Sequence, residues 1–365
     1  MMNEKELLIL KLIKDDPFIS QIELAEKTGL SRSAVAGYIS SLTKEGKLLG
    51  RAYVLPEKKD IVCIGGSNVD RKIQALSNLQ FGTSNPAESS QSCGGVARNI
   101  AENLGRLGCD VALVTIVGDD HEGKWLLEDT KSYVDISPSL VTSHSTTGTY
   151  TAILDNEGEM AVALADMSIY DSVDIDFIEK RWGYLASSEM VVIDTNFPDI
   201  VLKQIIVRCK EEKIPLCITP VSSPKAKKLP EDLQGVTWLI ANKDEAEALS
   251  GMKINDEGDF FKSAQKLLEK GVEKVVITRG DKGLIFFTKM GEAGVLLPPK
   301  VNVEDVTGAG DSLVAGIMYA HLKGLETENA CKIGIACSIL TLQSHETVNP
   351  NLNHLRLQET FKQYF

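Results

Sequence analysis

Residues 60–70 read Asp60-Ile61-Val62-Cys63-Ile64-Gly65-Gly66-Ser67-Asn68-Val69-Asp70, an apolar run that breaks on two glycines and then turns polar. Four apolar residues in succession, without alternation, describe a strand buried on both faces. Such strands belong to parallel sheets covered by helices. The same texture returns at Val111–Val117, Met190–Ile193, Leu216–Thr219, Trp238–Ile240 and Val275–Thr278. Amphipathic stretches such as Ile200–Lys213 and Phe260–Lys270 separate these runs. Strands alternating with helices predict an α/β sandwich with a mostly parallel sheet. Two segments break the rhythm. Residues 72–89 and 146–163 show alternation, and the second contains the turn signal Asp155-Asn156-Glu157-Gly158. They predict a small antiparallel sheet outside the core, positioned as a lid.

The chain has 365 residues, more than one typical domain, so one large and one small unit are expected. With 43% hydrophobic and 25% charged residues the composition is that of a globular protein. No run of about 18 apolar residues occurs, which leaves no candidate membrane span. The start, Met1-Met2-Asn3-Glu4-Lys5-Glu6, lacks the basic-then-apolar order of a signal peptide, so a cytoplasmic location is expected. Seven cysteines without a CxxC pair suggest neither a disulfide framework nor a zinc site. The net charge of −12 argues against a body that wraps nucleic acid.

That charge is uneven. Residues 1–57 hold eight basic and eight acidic side chains, so residues 58–365 carry the whole excess. A boundary near Pro56-Glu57-Lys58-Lys59 divides the chain into domains 1–57 and 58–365. In the first, Leu7 to Ile13 fit an amphipathic helix that ends before Asp15-Asp16-Pro17. Ser20 caps a second helix, with Glu23 completing a capping box, and Gly29 stops it. Ser31 caps a third, running to about Gly46, and apolar strands Leu48-Leu49 and Ala52–Leu55 follow. This order resembles the winged helix-turn-helix of bacterial transcription regulators. The resemblance implies DNA contact, with Ser31, Arg32, Ser33 and Gly37 toward the major groove and Arg51 on phosphate. The zero net charge equally fits a module that only mediates assembly or docking.

The strongest chemical signal is Asp305-Val306-Thr307-Gly308-Ala309-Gly310-Asp311-Ser312-Leu313, a small-residue turn opening a helix. Free N–H groups at such a start bind phosphate or a developing anion. An aspartate there can take the proton of a hydroxyl that attacks a γ-phosphoryl group. No Gly-Lys-Ser/Thr follows, so it is not a Walker A loop. A second glycine turn entering a helix, Ser92-Cys93-Gly94-Gly95-Val96-Ala97-Arg98-Asn99, lets the backbone approach a ligand and offers Asn99 as donor and acceptor. Asn68 and Asp70 stand at a strand's carboxyl end, where α/β sheets bind ligands.

In order, Gly65-Gly66-Ser67-Asn68-Val69-Asp70, Gly94-Gly95-x-x-x-Asn99, Asn242-x-x-Glu245, Thr278-Arg279-Gly280-x-x-Gly283 and Gly308-Ala309-Gly310-Asp311 resemble the ribokinase-like (PfkB) carbohydrate and nucleoside kinases. The resemblance spans residues 60–350 and implies a three-layer sandwich with a small β lid. It also implies Asp311 as catalytic base and Gly308, Ala309 and Gly310 as anion hole. Asn68, Asp70, Gly94, Gly95, Arg98 and Asn99 would bind the acceptor. Asn242, Thr278, Gly280, Gly283 and Asn349 would hold the nucleotide, and Glu245 the metal through water or phosphate. ATP and Mg²⁺ are the implied cofactors, with a monovalent cation as a further candidate.

Val306 and Leu313 depart from the usual threonine and aromatic residue of that segment, and Val96 stands where ribokinase proper has lysine. Together with Ala165-Asp166-Met167 and Glu346-Thr347-Val348-Asn349-Pro350, the acceptor loop looks like that of the pseudouridine kinases within the family. That implies phosphorylation of a ribonucleoside 5′-hydroxyl, with Asp166 near base or ribose. Other nucleosides and free sugars are the alternative acceptors, and a regulator that uses a kinase-like domain as ligand sensor is the alternative class. Lid pairing implies a homodimer.

Overall fold

The computed structural model describes residues 3–45, 47, 48 and 58–365. The N-terminal module has three described helices, α1 (Glu4–Asp15), α2 (Gln21–Thr28) and α3 (Arg32–Lys44). The capping box expected at Ser20 and Glu23 is formed, a second one joins Asn3 to Glu6, and Gly29 ends α2 at φ 67°. Ile9, Leu24, Val35 and Leu42 are fully buried and make the module's core. The expected wing, Arg51 included, lies outside the described residues except for Leu48.

The large domain is built on an eight-stranded sheet. Its order is β14 (Ala293–Leu296), β13 (Leu284–Thr288), β12 (Lys274–Thr278), β11 (Trp238–Asn242), β10 (Leu216–Thr219), β9 (Met190–Asp194), β1 (Ile61–Ile64) and β4 (Val111–Val114). Pairing is parallel from β12 to β4 and antiparallel in the β12–β13–β14 edge. Successive side chains of a strand point to opposite faces, and the core divides accordingly. Ile61, Cys63, Met190, Val192, Trp238 and Ile240 pack against α4 (Val96–Arg106), α12 (Ala309–Leu322), α13 (Thr327–Leu342) and α14 (His354–Tyr364). Val62, Ile64, Val191, Ile193, Leu239 and Val275 pack on the other face. There they meet α6 (Ile175–Glu179), α7 (Trp182–Ala186), α8 (Asp199–Glu212), α9 (Ser223–Ala226), α10 (Lys243–Ser250) and α11 (Glu257–Glu269). The result is a three-layer α/β/α sandwich. Beside it, β5 (Ile116–Gly118) and β6 (Leu140–Thr142) pair in parallel, and α5 (His121–Thr130) covers the small core of Val69, Cys93, Val117 and Leu126.

The lid is a four-stranded sheet in the order β3 (Ala87–Gly94), β2 (Asn68–Ala75), β7 (Thr149–Leu154), β8 (Met160–Asp166). It corrects the all-antiparallel expectation, because the central pair β2–β7 is parallel. Both hairpins leave the body in one direction, so their first strands run side by side. β2 also begins at Asn68, so the lid itself bears Asn68 and Asp70.

The N-terminal module docks on α6 and α7. Lys180 bridges Glu23 and Asp16, the latter at 3.5 Å. The Arg181 guanidinium lies over the rings of Phe177 and Phe18, at 4.0 Å and 5.5 Å from their centroids. Phe18 meets Tyr184 edge to face.

The tightest helix crossing joins α12 to α13, where a Cβ on Gly316 would come within 2.8 Å of the Gly334 Cα. That approach is possible only for two glycines, and it fixes α12 and its N-terminus against the body. Gly316→Ala should lower unfolding stability by roughly 1–3 kcal/mol, the usual scale of core overpacking. A melt that leaves Tm unchanged would show the crossing to be adjustable.

Candidate active site

The site is assembled on a carboxylate that the sequence reading did not single out. Asp194, at the end of β9, is buried, and its Oδ2 accepts hydrogen bonds from Gly66 N (2.8 Å), Ala97 N (3.1 Å) and Asn196 Nδ2 (2.9 Å). Its Oδ1 accepts from Asn196 N at 2.8 Å. One side chain therefore pins the turn after β1 and the turn before α4. Burial raises its pKa, and the backbone donors act in the opposite sense. Glycine is required around it: a Cβ on Gly65 would lie 2.2 Å from the Asp194 Cγ, and one on Gly95 would lie 2.4 Å from the Gly66 carbonyl oxygen.

Asn68, Asp70, Gly94, Gly95 and Asn99 come together above this floor. Asn68 stands opposite Gly94 in the β2–β3 register, and its Nδ2 donates to Asp70 Oδ1 at 2.6 Å. A Cβ on Gly94 would fall 2.2 Å from the Asp70 carboxylate, so glycine gives that group its space. Burial pushes the Asp70 pKa up to about 6, against the Asn68 hydrogen bond and the Arg98 charge. Arg98 differs from expectation. The residue is 2% exposed, and its guanidinium is engaged by Glu102, Asp129, Thr130 and the Cys93 carbonyl inside the α4–α5 wall. Its Nη1 also donates to Asn99 Oδ1 at 3.2 Å, so Arg98 orients Asn99.

Asp311 faces this group from the first turn of α12. The Asn99 Nδ2 donates to its Oδ2 at 2.8 Å, which leaves the other oxygen for a second donor. Burial raises the Asp311 pKa to about 7; the Asn99 hydrogen bond opposes this, and the charges of Asp194, Asp70 and Glu245 add to it. A carboxylate poised near neutrality can accept a proton from an alcohol as bonds change. Gly308 caps the helix at φ 78°, with its Cβ position 2.0 Å from the Thr347 carbonyl oxygen, whereas nothing lies within 4 Å of a Cβ on Gly310. The turn is closed behind and open in front, where the first N–H groups of α12 have no partner within the helix.

Two of the residues expected on the nucleotide side close neighbouring strands at their carboxyl ends. Asn242 and Thr278 are register partners in β11 and β12. Asn242 caps α10 in a reciprocal box with Glu245, whose pKa burial lifts to about 7. Asn242, Thr278 and Gly280 line an open cavity of about 670 Å³ that also touches Lys243, Phe260 and Arg279. Gly283 stands at φ 82° with a Cβ position 2.0 Å from the Leu296 carbonyl oxygen, a purely steric need. Among the described residues no cluster of three or more His, Cys, Asp or Glu forms a dedicated metal cage. A single buried carboxylate instead fits Mg²⁺, which keeps waters and takes most ligands from phosphates.

Two expected residues are placed otherwise. Asp166 is exposed at the end of β8, and its carboxylate accepts from Ser168 N and Oγ. Asn349 is buried, donating to the Leu340 carbonyl and accepting from Asn351 N, so it shapes the loop behind Gly308. Besides Asp194, sequence reasoning missed Asn196 and Lys225, whose Nζ donates to Asn196 Oδ1 at 2.5 Å while burial lowers its pKa. Ser31, Arg32, Ser33 and Gly37 are exposed on α3, away from this cleft.

Comparison with known proteins identifies the family and the fold. Residues 58–354 match the model of the pfkB family carbohydrate kinases, and residues 2–48 match a winged helix-turn-helix DNA-binding model. An uncharacterised sugar kinase of Escherichia coli strain K12 is 30% identical over 355 residues, covering 96% of this chain and 97% of that protein. That alignment must run through the N-terminal helices. The pseudouridine kinase of the same organism is 32% identical over 298 residues, 81% of this chain and 95% of that protein. Among solved structures, a carbohydrate kinase from Agrobacterium tumefaciens superposes with a TM-score of 0.73 at 28% identity, covering 84% of this chain and 98% of that one. Arabidopsis thaliana ribokinase complexed with ribose and ATP reaches a TM-score of 0.74 at 19% identity, covering 84% and 99%, and shows the shared fold.

The raised carboxylates make a stability prediction. A group whose folded pKa exceeds its unfolded one stabilises the fold at low pH and loses that contribution as pH rises through the folded value. For Asp311 and Glu245 that window runs from the ordinary carboxylate range to about 7. The ligand-free protein should therefore lose Tm on going from about pH 5 to about pH 8. Asp311→Asn should flatten part of that slope and be the more stable protein at the upper end. Identical slopes for the two proteins would show that Asp311 ionises normally.

Proposed function

The chain belongs to the pfkB family of carbohydrate kinases, and from that premise we propose that it phosphorylates the 5′-hydroxyl of a ribonucleoside, pseudouridine first among them, at the expense of ATP. The observation that carries the reading is the Asn99–Asp311 contact, because it joins the acceptor group of residues to the anion-binding turn. In the proposed step the acceptor oxygen forms a bond to the γ-phosphorus as the bond to the β,γ-bridging oxygen breaks. The hydroxyl proton passes to Asp311, and ADP leaves. Gly308, Ala309 and Gly310 direct N–H groups at the phosphoryl oxygens, where preorganised donors are most effective. Asn68, Asp70, Gly94, Gly95 and Asn99 hold the sugar, and Asn242, Thr278, Gly280 and Gly283 flank the nucleotide. Glu245 would hold Mg²⁺ through water or phosphate, and the ion would supply charge neutralisation. Asp166 and Asn349 act, in this reading, through the lid edge and the loop behind the anion hole. The 32% identity to a pseudouridine kinase supports the choice of acceptor. A monovalent cation has no further support.

Asp311→Asn should lower kcat by roughly 10²–10⁴-fold, the range of a lost general base, with ATP binding little changed. Wild-type kcat/KM should rise with pH through about 7 as Asp311 deprotonates. Phosphate transfer across a panel of pseudouridine, uridine, purine nucleosides and free pentoses tests the acceptor. A variant with near-normal turnover, or a panel in which a free sugar wins, would overturn the corresponding part.

A second reading, that the chain also contacts DNA, is favoured by the exposure of Ser31, Arg32, Ser33 and Gly37 on α3 while α1 and α2 face the kinase domain. A module of zero net charge releases few counterions and binds weakly alone. Two modules in a homodimer would bind a two-fold site. Support for that dimer comes from β8, an edge strand whose Val162 and Leu164 share a face and are 43% and 61% exposed, with Met160, beyond the β7–β8 register shift, 59% exposed. Exposed apolar edges invite strand pairing with another copy. Leu164→Glu should shift light scattering from dimer to monomer and weaken operator binding at least tenfold. Removal of residues 1–57 should abolish DNA binding and spare phosphate transfer. A dimeric Leu164→Glu protein would move the interface elsewhere.

A further inference from the structure

Lys72 links the lid to the turn that opens the anion hole. It lies two residues beyond Asp70 and four beyond Asn68 in β2, so all three share one face of the strand. The opposite face is fixed separately: Val69 is packed with Cys93, Val117 and Leu126, and Arg71 pairs with Glu122 of α5 at 2.8 Å. From the site-facing side, the Lys72 Nζ donates to Asp305 Oδ2 at 2.6 Å, across 233 residues of sequence. The other oxygen of Asp305 accepts from Thr307 N (2.8 Å) and Thr307 Oγ1 (2.6 Å). That double contact folds residues 305–307 into the turn that delivers Gly308 to the N-terminus of α12. Asp305 is itself half-buried, with 22% of its side chain exposed. Burial acts to raise its pKa, but the bonds from Lys72 and Thr307 prevail and hold it at about 2, so it is ionised throughout the working range.

We propose that Lys72 is a positioning residue for phosphoryl transfer, holding the Asp305–Gly308 turn in register with β2 so that the acceptor groups and the anion hole fall into place together. The proposal rests on the kinase reading of Asp311 and the glycine turn given above. A half-exposed ion pair adds little to folding stability. Misplacing reacting groups by about 1 Å, in contrast, can cost on the order of 10²-fold in rate. The pair is therefore more consequential for alignment than for stability. Because Asn68, Asp70 and Lys72 are borne on one strand, an acceptor that engages the first two also sets the position of the third. Acceptor binding and formation of the phosphoryl site become one event.

The test compares wild type with Lys72→Met, Lys72→Arg, Asp305→Asn and the Lys72→Met/Asp305→Asn double variant in the full chain. Lys72→Met should lower kcat by roughly 10–100-fold. Its Tm should stay near that of wild type, and the KM for ATP should change less than about threefold. Lys72→Arg should recover most of the rate, since it restores a cation to Asp305. The double variant should be no slower than the slower single variant, as expected of residues acting as a unit. Methylammonium should raise the rate of Lys72→Met and leave Lys72→Arg unaffected. Independently of any activity, amide hydrogen exchange over residues 305–311 of the ligand-free chain should be faster in Lys72→Met than in wild type. Unchanged exchange with unchanged kcat would overturn the proposal. So would a rate loss matched by a large Tm loss that Lys72→Arg fails to recover. A wild-type chain without phosphate transfer on any acceptor would instead defeat the kinase reading, and the exchange comparison would still decide whether Lys72 orders the turn.

Discussion

Everything in the cleft depends on a carboxylate that never meets solvent. Asp194 lies at the carboxyl end of β9, and a buried charge there is tolerable only because four donors converge on it. Those donors are mostly backbone amides, so the hydrogen bonds fix the path of the chain at Gly66 and Ala97. The path in turn leaves no volume for side chains at Gly65, Gly66 or Gly95, where a Cβ would come within 2.2–2.4 Å of its nearest neighbour. The glycines follow from the carboxylate as much as from any ligand. Asn68, Asn99 and, through Asn99, Asp311 are then placed by turns that Asp194 has already anchored.

The electrostatic consequence is a cleft with more negative charge than its ligand-free state accommodates. Asp70, Asp194, Glu245 and Asp311 all have raised pKa values, from burial first and for Asp311 from the other three as well. Such a cleft disfavours a bare polyphosphate. A polyphosphate would enter it more readily with a divalent cation to offset that charge. Burial, with that repulsion added, raises the Asp311 pKa to about 7, so the ligand-free fold is stabler without the charge on this group. Local strain of this kind is expected where function and stability compete.

How much of this was legible depends on which interaction fixes each element. Strands β1, β4, β9, β10, β11 and β12 could be read directly, because burial on both faces demands unbroken apolar runs. The box at Ser20–Glu23 was equally plain, since a cap is a local interaction between residues three apart. The lid was harder. The parallel β2–β7 pair joins segments about 80 residues apart, and β3 is largely exposed, so no apolar periodicity marks its register. Arg98 misled for a related reason: its neighbours Asp129 and Thr130 come from α5, and only the tertiary fold shows that they take up the guanidinium. Asp194 escaped notice because a polar residue closing an apolar strand looks like the start of a turn. Its partners at Gly66 and Ala97 lie 128 and 97 residues upstream.

The docking of the N-terminal module extends the same logic beyond the cleft. Arg181, stacked on Phe18 of the module, also donates to the carbonyl of Pro138, just before β6. β6 pairs with β5, and at its end the Thr142 carbonyl accepts from Asp119 N. The neighbouring Asp120 holds Thr147 through both backbone and hydroxyl. Thr147 precedes Gly148, whose carbonyl accepts from Val69 N in β2. Each link is a hydrogen bond or a packed ring, so the helices that would meet DNA and the strand that carries Asn68, Asp70 and Lys72 are joined by one contiguous set of contacts. The exposed face of α3 and the lid are thus two ends of one contiguous set of contacts.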